Sequence, residues 1–250
     1  MRILVIGATG GSGRAVTDVL LDRGHEVTAL SRSASGLDPR ARLSTIDGDA
    51  TDAALLDRIL PGHDAIVVTL GISEPPLGVR LRGARRTVDD IRSRGTATVV
   101  TAARRAGIRR IVVQSSYGVG DSREMLAFAD RLLFALMIRP QIIDSEIQEG
   151  VLRGSELDWT IVQPVYLSDD DSTEHFTSVD GSTRERKVSR RAVAHVHADL
   201  VESGTAFRET VPVGGGRDAT AVCRSRGWMP ASTPFFARQV RPGARPADRA

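Results

Sequence analysis

Apolar and polar positions along the chain fall into short β-branched runs separated by amphipathic stretches. Arg2–Ile6 is one such run, ending in Gly7, and apolar residues then recur at helical spacing from about Gly13 to Arg23, where Gly24 stops them. Strands are expected at His25–Leu30, Leu43–Ile46 and Asp64–Leu70, with a helix over Ala53–Leu60 that Pro61-Gly62 ends. Thr87–Ala106 reads as a long helix closed by Gly107. Ile108–Gln114 is an apolar run of the kind a parallel sheet buries on both faces.

Two further helices, Met125–Ile138 and Ile142–Arg153, are expected on either side of Pro140, and a sixth strand, Asp158–Val162, leads to Pro164. Alternation this regular predicts parallel βαβ units, hence an α/β fold with a doubly wound parallel sheet of Rossmann type. After Pro164 the pattern turns polar. Short strands around Phe176 and Val188, a helix over Arg191–Val201 and a strand at Thr210–Val213 close the body. The expected organisation is one domain over residues 1–216, with a small substrate-side portion from 117–137 and 165–188.

Charge changes the picture of the remainder. The net charge of +3 and a pI near 9.7 suggest a polyanion-binding protein, but residues 217–250 hold seven arginines against two acids, leaving the other 216 residues at −2. The excess is a tail, rich in arginine and proline and expected to be poorly ordered, and no nucleic-acid partner is expected. Cys223 is the only cysteine, which fits a reducing compartment. No stretch of 18 apolar residues and no cleavable leader pattern occurs, so the expected location is cytoplasmic, with no membrane partner. His195 and His197 have no matching cluster of ligands, and no metal is expected. Asp169–Asp171 reads as a solvated turn. Arg80–Arg94 reads either as a solvated face or as a wall for an anionic substrate.

Gly7-Ala8-Thr9-Gly10-Gly11-Ser12-Gly13 joins the first strand to the first helix, the context in which a glycine pattern signifies a dinucleotide. Gly7 is expected to permit the tight turn, Gly10 to admit a pyrophosphate to the backbone amides, and Gly13 to let the helix pack on the strand. Thr9, Gly11 and Ser12 share the loop, and the helix N-terminus faces the anion. An NAD site expects an acidic residue after the second strand. This chain has Leu30-Ser31-Arg32-Ser33, in which Arg32 is suited to a 2′-phosphate, so NADP(H) is the expected cofactor. The alternative is a solvated surface arginine. Asp49 is expected beside the adenine amino group or else as a helix cap. Leu70 and Gly71 are expected to line the ribose and pyrophosphate crevice.

With these residues in place, the chain resembles the atypical short-chain dehydrogenase/reductase group that includes NmrA-like proteins and the flavin reductase also called biliverdin-IXβ reductase. The resemblance runs from Met1 to about Gly216 and rests on the glycine loop, Gly48-Asp49, Ala106–Arg110, Ser115-Ser116, Leu157–Pro164 and Val188-Ser189-Arg190. It implies an NAD(P)H-binding protein with Ser115 and Pro164 beside the nicotinamide, Ser116 contacting nicotinamide or substrate, and Tyr166 on the substrate side. For Ser115 and Ser116 the alternative is capping of the following turn, and for Tyr166 it is packing.

One departure bears on chemistry. Ordinary short-chain dehydrogenases pair a tyrosine with a lysine four positions later, whereas Tyr117 and Tyr166 are followed at that distance by Asp121 and Asp170, and Lys187 is the single lysine. Where relatives carry a lysine on the helix before the Trp159 strand, this chain has Ser145. Two functions follow as expectations. One is an NADPH-dependent reductase acting on a conjugated planar small molecule such as a flavin or quinone, with Ser116 and Tyr166 as catalytic candidates. The other is a non-catalytic NADP(H)-sensing regulator. Oligomeric state stays open, a homodimer included.

Overall fold

The computed structural model describes residues 1–71, 90–125, 139–178 and 181–216. The chain divides into two units, Met1–Asp218 and Ala219–Ala250, and the described residues belong to the first. The tail expected over 217–250 therefore lies outside the described residues.

β1 (Arg2–Ile6), β2 (Glu26–Ser31), β3 (Leu43–Asp47), β4 (Ala65–Val68), β5 (Arg110–Gln114), β6 (Asp158–Pro164) and β10 (Glu209–Gly214) are parallel neighbours in one sheet. Its order is β3-β2-β1-β4-β5-β6-β10-β8, with the short β8 (Phe176–Thr177) antiparallel at the edge. This is the Rossmann-type α/β sheet that the alternation predicts. The central strands are buried on both faces, so alternate side chains sort into two cores. Ile3, Val5, Val67, Val112 and Val162 meet α1 (Gly11–Asp22) and α5 (Arg190–Ser203) on one face. Leu4, Ile6, Ile66, Val68, Ile111 and Ile161 meet α2 (Ala53–Ile59), α3 (Ile91–Ala106) and α4 (Arg139–Arg153) on the other.

Three departures from the sequence reading have local causes. α1 starts at Gly11 because the loop winds directly into the first helical turn, with Gly10 as N-cap. α4 begins at Arg139 rather than Ile142 and takes Pro140 into its first turn, where proline is tolerated because its missing N–H has no intrahelical acceptor. Residues 126–138 and Thr87–Asp89, assigned above to helices, lie outside the described residues. The third departure is β7 (Tyr166–Ser168), which the polar composition after Pro164 conceals. It pairs in parallel with β9 (Lys187–Ser189) to form a separate two-stranded sheet.

Candidate functional site

The loop after β1 takes its shape from close backbone packing. Gly7 has φ +85°, and a Cβ there would stand 2.9 Å from the Thr69 carbonyl oxygen, so a side chain is excluded both by conformation and by space. At Gly13 a Cβ would fall 2.2 Å from the Gly7 carbonyl oxygen, which is how closely α1 approaches β1. Gly10 differs: a Cβ there would meet only the Gly7 oxygen, at 3.4 Å. As the N-cap, Gly10 has no side chain to cap the first α1 amides, and the first turn carries no acidic residue. These N–H groups and the positive end of the helix dipole are the donor set a pyrophosphate requires.

The loop opens into a cleft of about 570 Å³ at the carboxyl ends of β1, β2 and β4, lined among others by Thr9, Gly10, Arg32, Asp49, Leu70 and Gly71. At the end of β2 the Thr9 hydroxyl donates to Ser31 Oγ (3.1 Å), which also accepts the Ser33 N–H (3.3 Å). A ring of small hydroxyls thus adjoins Arg32. Asp49 accepts from the Thr51 backbone N–H at 2.8 Å and from its hydroxyl at 2.7 Å. These bonds, with Arg32 and Arg94 nearby, hold its carboxyl below the usual carboxylate range. The helix cap is not Asp49 but Asp52, whose side chain accepts the Leu55 N–H. Leu70 packs toward Gly95 of α3, where a Cβ would stand 2.5 Å from Leu70 Cδ1, so Leu70 is both lining and core.

At the carboxyl ends of β5 and β6 stands a polar group that the sequence reading missed. Glu149 of α4 is 2% exposed and accepts at one oxygen from the Ser115 hydroxyl (2.6 Å) and the Gln163 amide (2.7 Å). Its other oxygen accepts from Arg153 at 3.2 Å. Nothing in sequence distance marks it, because Ser115, Glu149 and Gln163 come from three elements. Ser115 is consequently buried and engaged, whereas Ser116 beside it is half-buried. Ser12 joins the same end of the sheet, accepting from Gln114 Nε2 at 3.1 Å. The side-chain oxygens of Gln114 and Gln163 are buried without a hydrogen-bond partner among the described residues, acceptors suited to a carboxamide N–H. Uncapped amides, a glycine cradle and these acceptors together fit a nicotinamide dinucleotide.

Pro164 is buried at the end of β6, and its carbonyl accepts the Tyr117 N–H at 3.0 Å. The Tyr117 hydroxyl donates to the Gly181 carbonyl at 3.0 Å, which ties the segment after β5 to the substrate-side portion. Tyr166 is 47% exposed on β7, and Lys187, the single lysine, stands opposite it in register. Ser145 is buried in α4.

Other conspicuous residues resolve differently. Of Arg80–Arg94, residues up to 89 lie outside the described residues. Arg94 is solvated, as one of the two readings holds, but Arg92 turns inward, its Nη2 3.3 Å from a Cβ at Gly71, and the N–H groups of Arg92 and Ser93 are capped by Asp144. Asp169–Asp171 is solvated, as expected, and Asp169 ion-pairs with Arg190. His195 bonds to Arg23 at 3.1 Å, while His197 is fully buried. A second cleft, of about 500 Å³, lies at the amino ends of β4–β6, where Arg110 is buried on the carbonyls of Asp158 and Leu200 and desolvation lowers its pKa to about 10. It lies at the opposite end of the sheet from the glycine loop.

A family model described as NAD(P)H-binding matches residues 7–203. A 3β-hydroxysteroid dehydrogenase/Δ5→4-isomerase of Mycobacterium tuberculosis is 34% identical over 139 residues, 53% of this chain and 36% of that protein. The match therefore spans little more than a third of that relative's length. Among solved structures, an anaerobilin reductase of Escherichia coli O157:H7 superposes with TM-score 0.70 at 23% identity, covering 86% of this chain and 97% of that one. A short-chain dehydrogenase/reductase of Veillonella parvula in complex with NADP gives TM-score 0.70 at 21% identity, covering 85% and 94%. At these identities the likeness to the solved structures is one of fold.

Proposed function

The chain belongs to the NAD(P)H-binding family, and from that premise we propose that it is an NADPH-dependent reductase passing hydride to a conjugated planar small molecule such as a flavin or quinone. The observation that carries this reading is the fate of Tyr117, whose hydroxyl is engaged by the Gly181 carbonyl and whose fourth successor is Asp121. A ketone that receives hydride needs a strong proton donor at its oxygen. A conjugated acceptor spreads that charge, and a serine hydroxyl or water suffices. The NADP-bound neighbour and the anaerobilin reductase, named for a reduction, support the same reading.

The reduced nicotinamide, when bound, supplies the hydride. The chain's residues do the rest. Amides of Gly11, Ser12 and Gly13 hold the pyrophosphate, and Arg32 with the Ser31 and Ser33 hydroxyls binds the 2′-phosphate. Because the Ser115 hydroxyl donates to Glu149, it offers only acceptor lone pairs toward the cofactor. Ser116 keeps a donor for the acceptor's oxygen or nitrogen, and exposed Tyr166 gives a flat ring against which a planar acceptor stacks. We place this activity in the cytoplasm, on a small molecule, without nucleic acid or membrane. Among the described residues no helix is long and apolar enough to cross a membrane.

The test follows NADPH absorbance with flavin mononucleotide and a panel of quinones, comparing wild type with Ser116→Ala and Tyr166→Ala. Turnover that falls at least tenfold in Ser116→Ala supports the reading. NADPH binding with no turnover across the panel sinks it in favour of an NADP(H)-sensing regulator.

A further inference from the structure

Arg190, the first residue of α5, lies on the glycine loop. A Cβ built at Gly11 would stand 2.7 Å from its Nε and 2.9 Å from its Cδ, so the arginine stem rests on the first residue of α1 in space that any larger residue would take. Two elements fix this placement. Ser189 ends β9 and caps α5, accepting the Ala192 N–H at 2.9 Å. Ser168 and Ser189 are partners in the β7–β9 pair, so the residues that follow them, Asp169 and Arg190, leave the two strands side by side and ion-pair.

Stability does not account for the arrangement. The Asp169 side chain is 85% exposed, and an ion pair so exposed contributes little to folding. A guanidinium laid against the start of α1 also stands at the positive end of a helix dipole, a poor place for a cation unless an anion shares it. Asp169 engages one of the five N–H donors of the guanidinium, and the others suit an oxyanion geometry. The anion that belongs at this loop is a pyrophosphate.

We propose that Arg190 is a second cofactor-binding arginine, closing on the pyrophosphate while Asp169 holds it over the loop; Arg32, which lines the cleft after β2, serves the 2′-phosphate. The inference rests on cofactor binding and is independent of what accepts the hydride. It also joins the cofactor loop to the substrate-side portion through Asp169.

Calorimetric titration of the full chain with ADP-ribose, NADH, NADPH and adenosine 2′-monophosphate tests it. Arg190→Ala is expected to weaken the first three, which carry a pyrophosphate, by about tenfold each, and to leave adenosine 2′-monophosphate within about twofold. Arg190→Lys recovers part of the loss, because lysine keeps the charge without the planar fork. Arg32→Ala gives the converse pattern, weakening NADPH and adenosine 2′-monophosphate but sparing ADP-ribose and NADH. An unchanged ADP-ribose affinity in Arg190→Ala overturns the proposal. So does equal weakening of all four ligands, which would mark damage to the loop. Failure of the Arg32 pattern alone removes the NADPH assignment and leaves Arg190 standing.

Discussion

The Ser115 hydroxyl donates to the Glu149 carboxylate at 2.6 Å inside the protein, 34 residues apart in sequence and at the carboxyl end of β5. The carboxylate also takes the Gln163 amide and Arg153, so three donors converge on it. Glu149→Gln replaces one acceptor oxygen by an NH₂ that must face a donor. Leaving such a buried group unsatisfied costs about 1–3 kcal/mol. Urea unfolding is expected to show a loss in that range, and an unchanged midpoint would mean that the three donors do not depend on Glu149.

The glycines of the loop separate folding from binding. Gly13→Ala drives a Cβ into the Gly7 carbonyl, which is backbone and cannot yield cheaply, and is expected to destabilise the fold by about 3 kcal/mol. Gly10→Ala meets only one atom, at 3.4 Å, and is expected to keep the wild-type melting temperature. Its Cβ stands where the pyrophosphate approaches, so NADPH affinity should fall at least about tenfold. Calorimetry on both variants reads the two effects separately. Full NADPH affinity in Gly10→Ala would place the pyrophosphate elsewhere.

These contrasts show what the sequence conveys. The sheet was legible because Ile3–Ile6, Ala65–Val68 and Ile111–Val113 are unbroken apolar runs, and the loop because its glycines sit between a strand and a helix. The turn at Gly7 needs a positive φ and Gly13 lies against the Gly7 carbonyl, and demands so close in the chain show in local sequence. Glu149 and Arg190 were not legible as site residues, since each gains its place from partners on distant elements. β7 escaped for another reason: three residues paired with β9 at the edge of the body carry too short an alternation to register against the polar stretch around them.

His197 sets a pH dependence. It is fully buried, neither ring nitrogen has a hydrogen-bond partner among the described residues, and desolvation lowers its pKa from 6.5 to about 3. The unfolded chain therefore binds a proton that the folded chain refuses. The stability associated with neutral His197 is fully present above pH 6.5 and is lost as pH falls toward 3, at about 1.4 kcal/mol per pH unit. His197→Leu removes this slope. Urea unfolding at pH 7.5 and 5.0 should show wild type losing about 2 kcal/mol more than the variant over that interval, and parallel losses in the two proteins would rule the histidine out as the source.

The proposed preference for NADPH rests on Arg32. It lines the cleft beside the hydroxyls of Ser31 and Ser33, with no carboxylate following β2 to take a ribose 2′-hydroxyl. Asp49, at the end of the neighbouring strand, is held by Thr51, and a carboxylate so placed repels a 2′-phosphate unless a cation intervenes. Arg32→Ala removes that cation and leaves the phosphate facing Asp49. NADPH affinity should drop about thirtyfold while NADH changes by no more than about threefold, because a charge-assisted pair at a phosphate is worth roughly 2 kcal/mol. Arg32→Ala combined with Asp49→Asn then regains part of the NADPH affinity. Equal losses for the two cofactors in the single variant would assign Arg32 to the shared part of the dinucleotide, and no recovery in the double variant would show that Asp49 does not reach the phosphate.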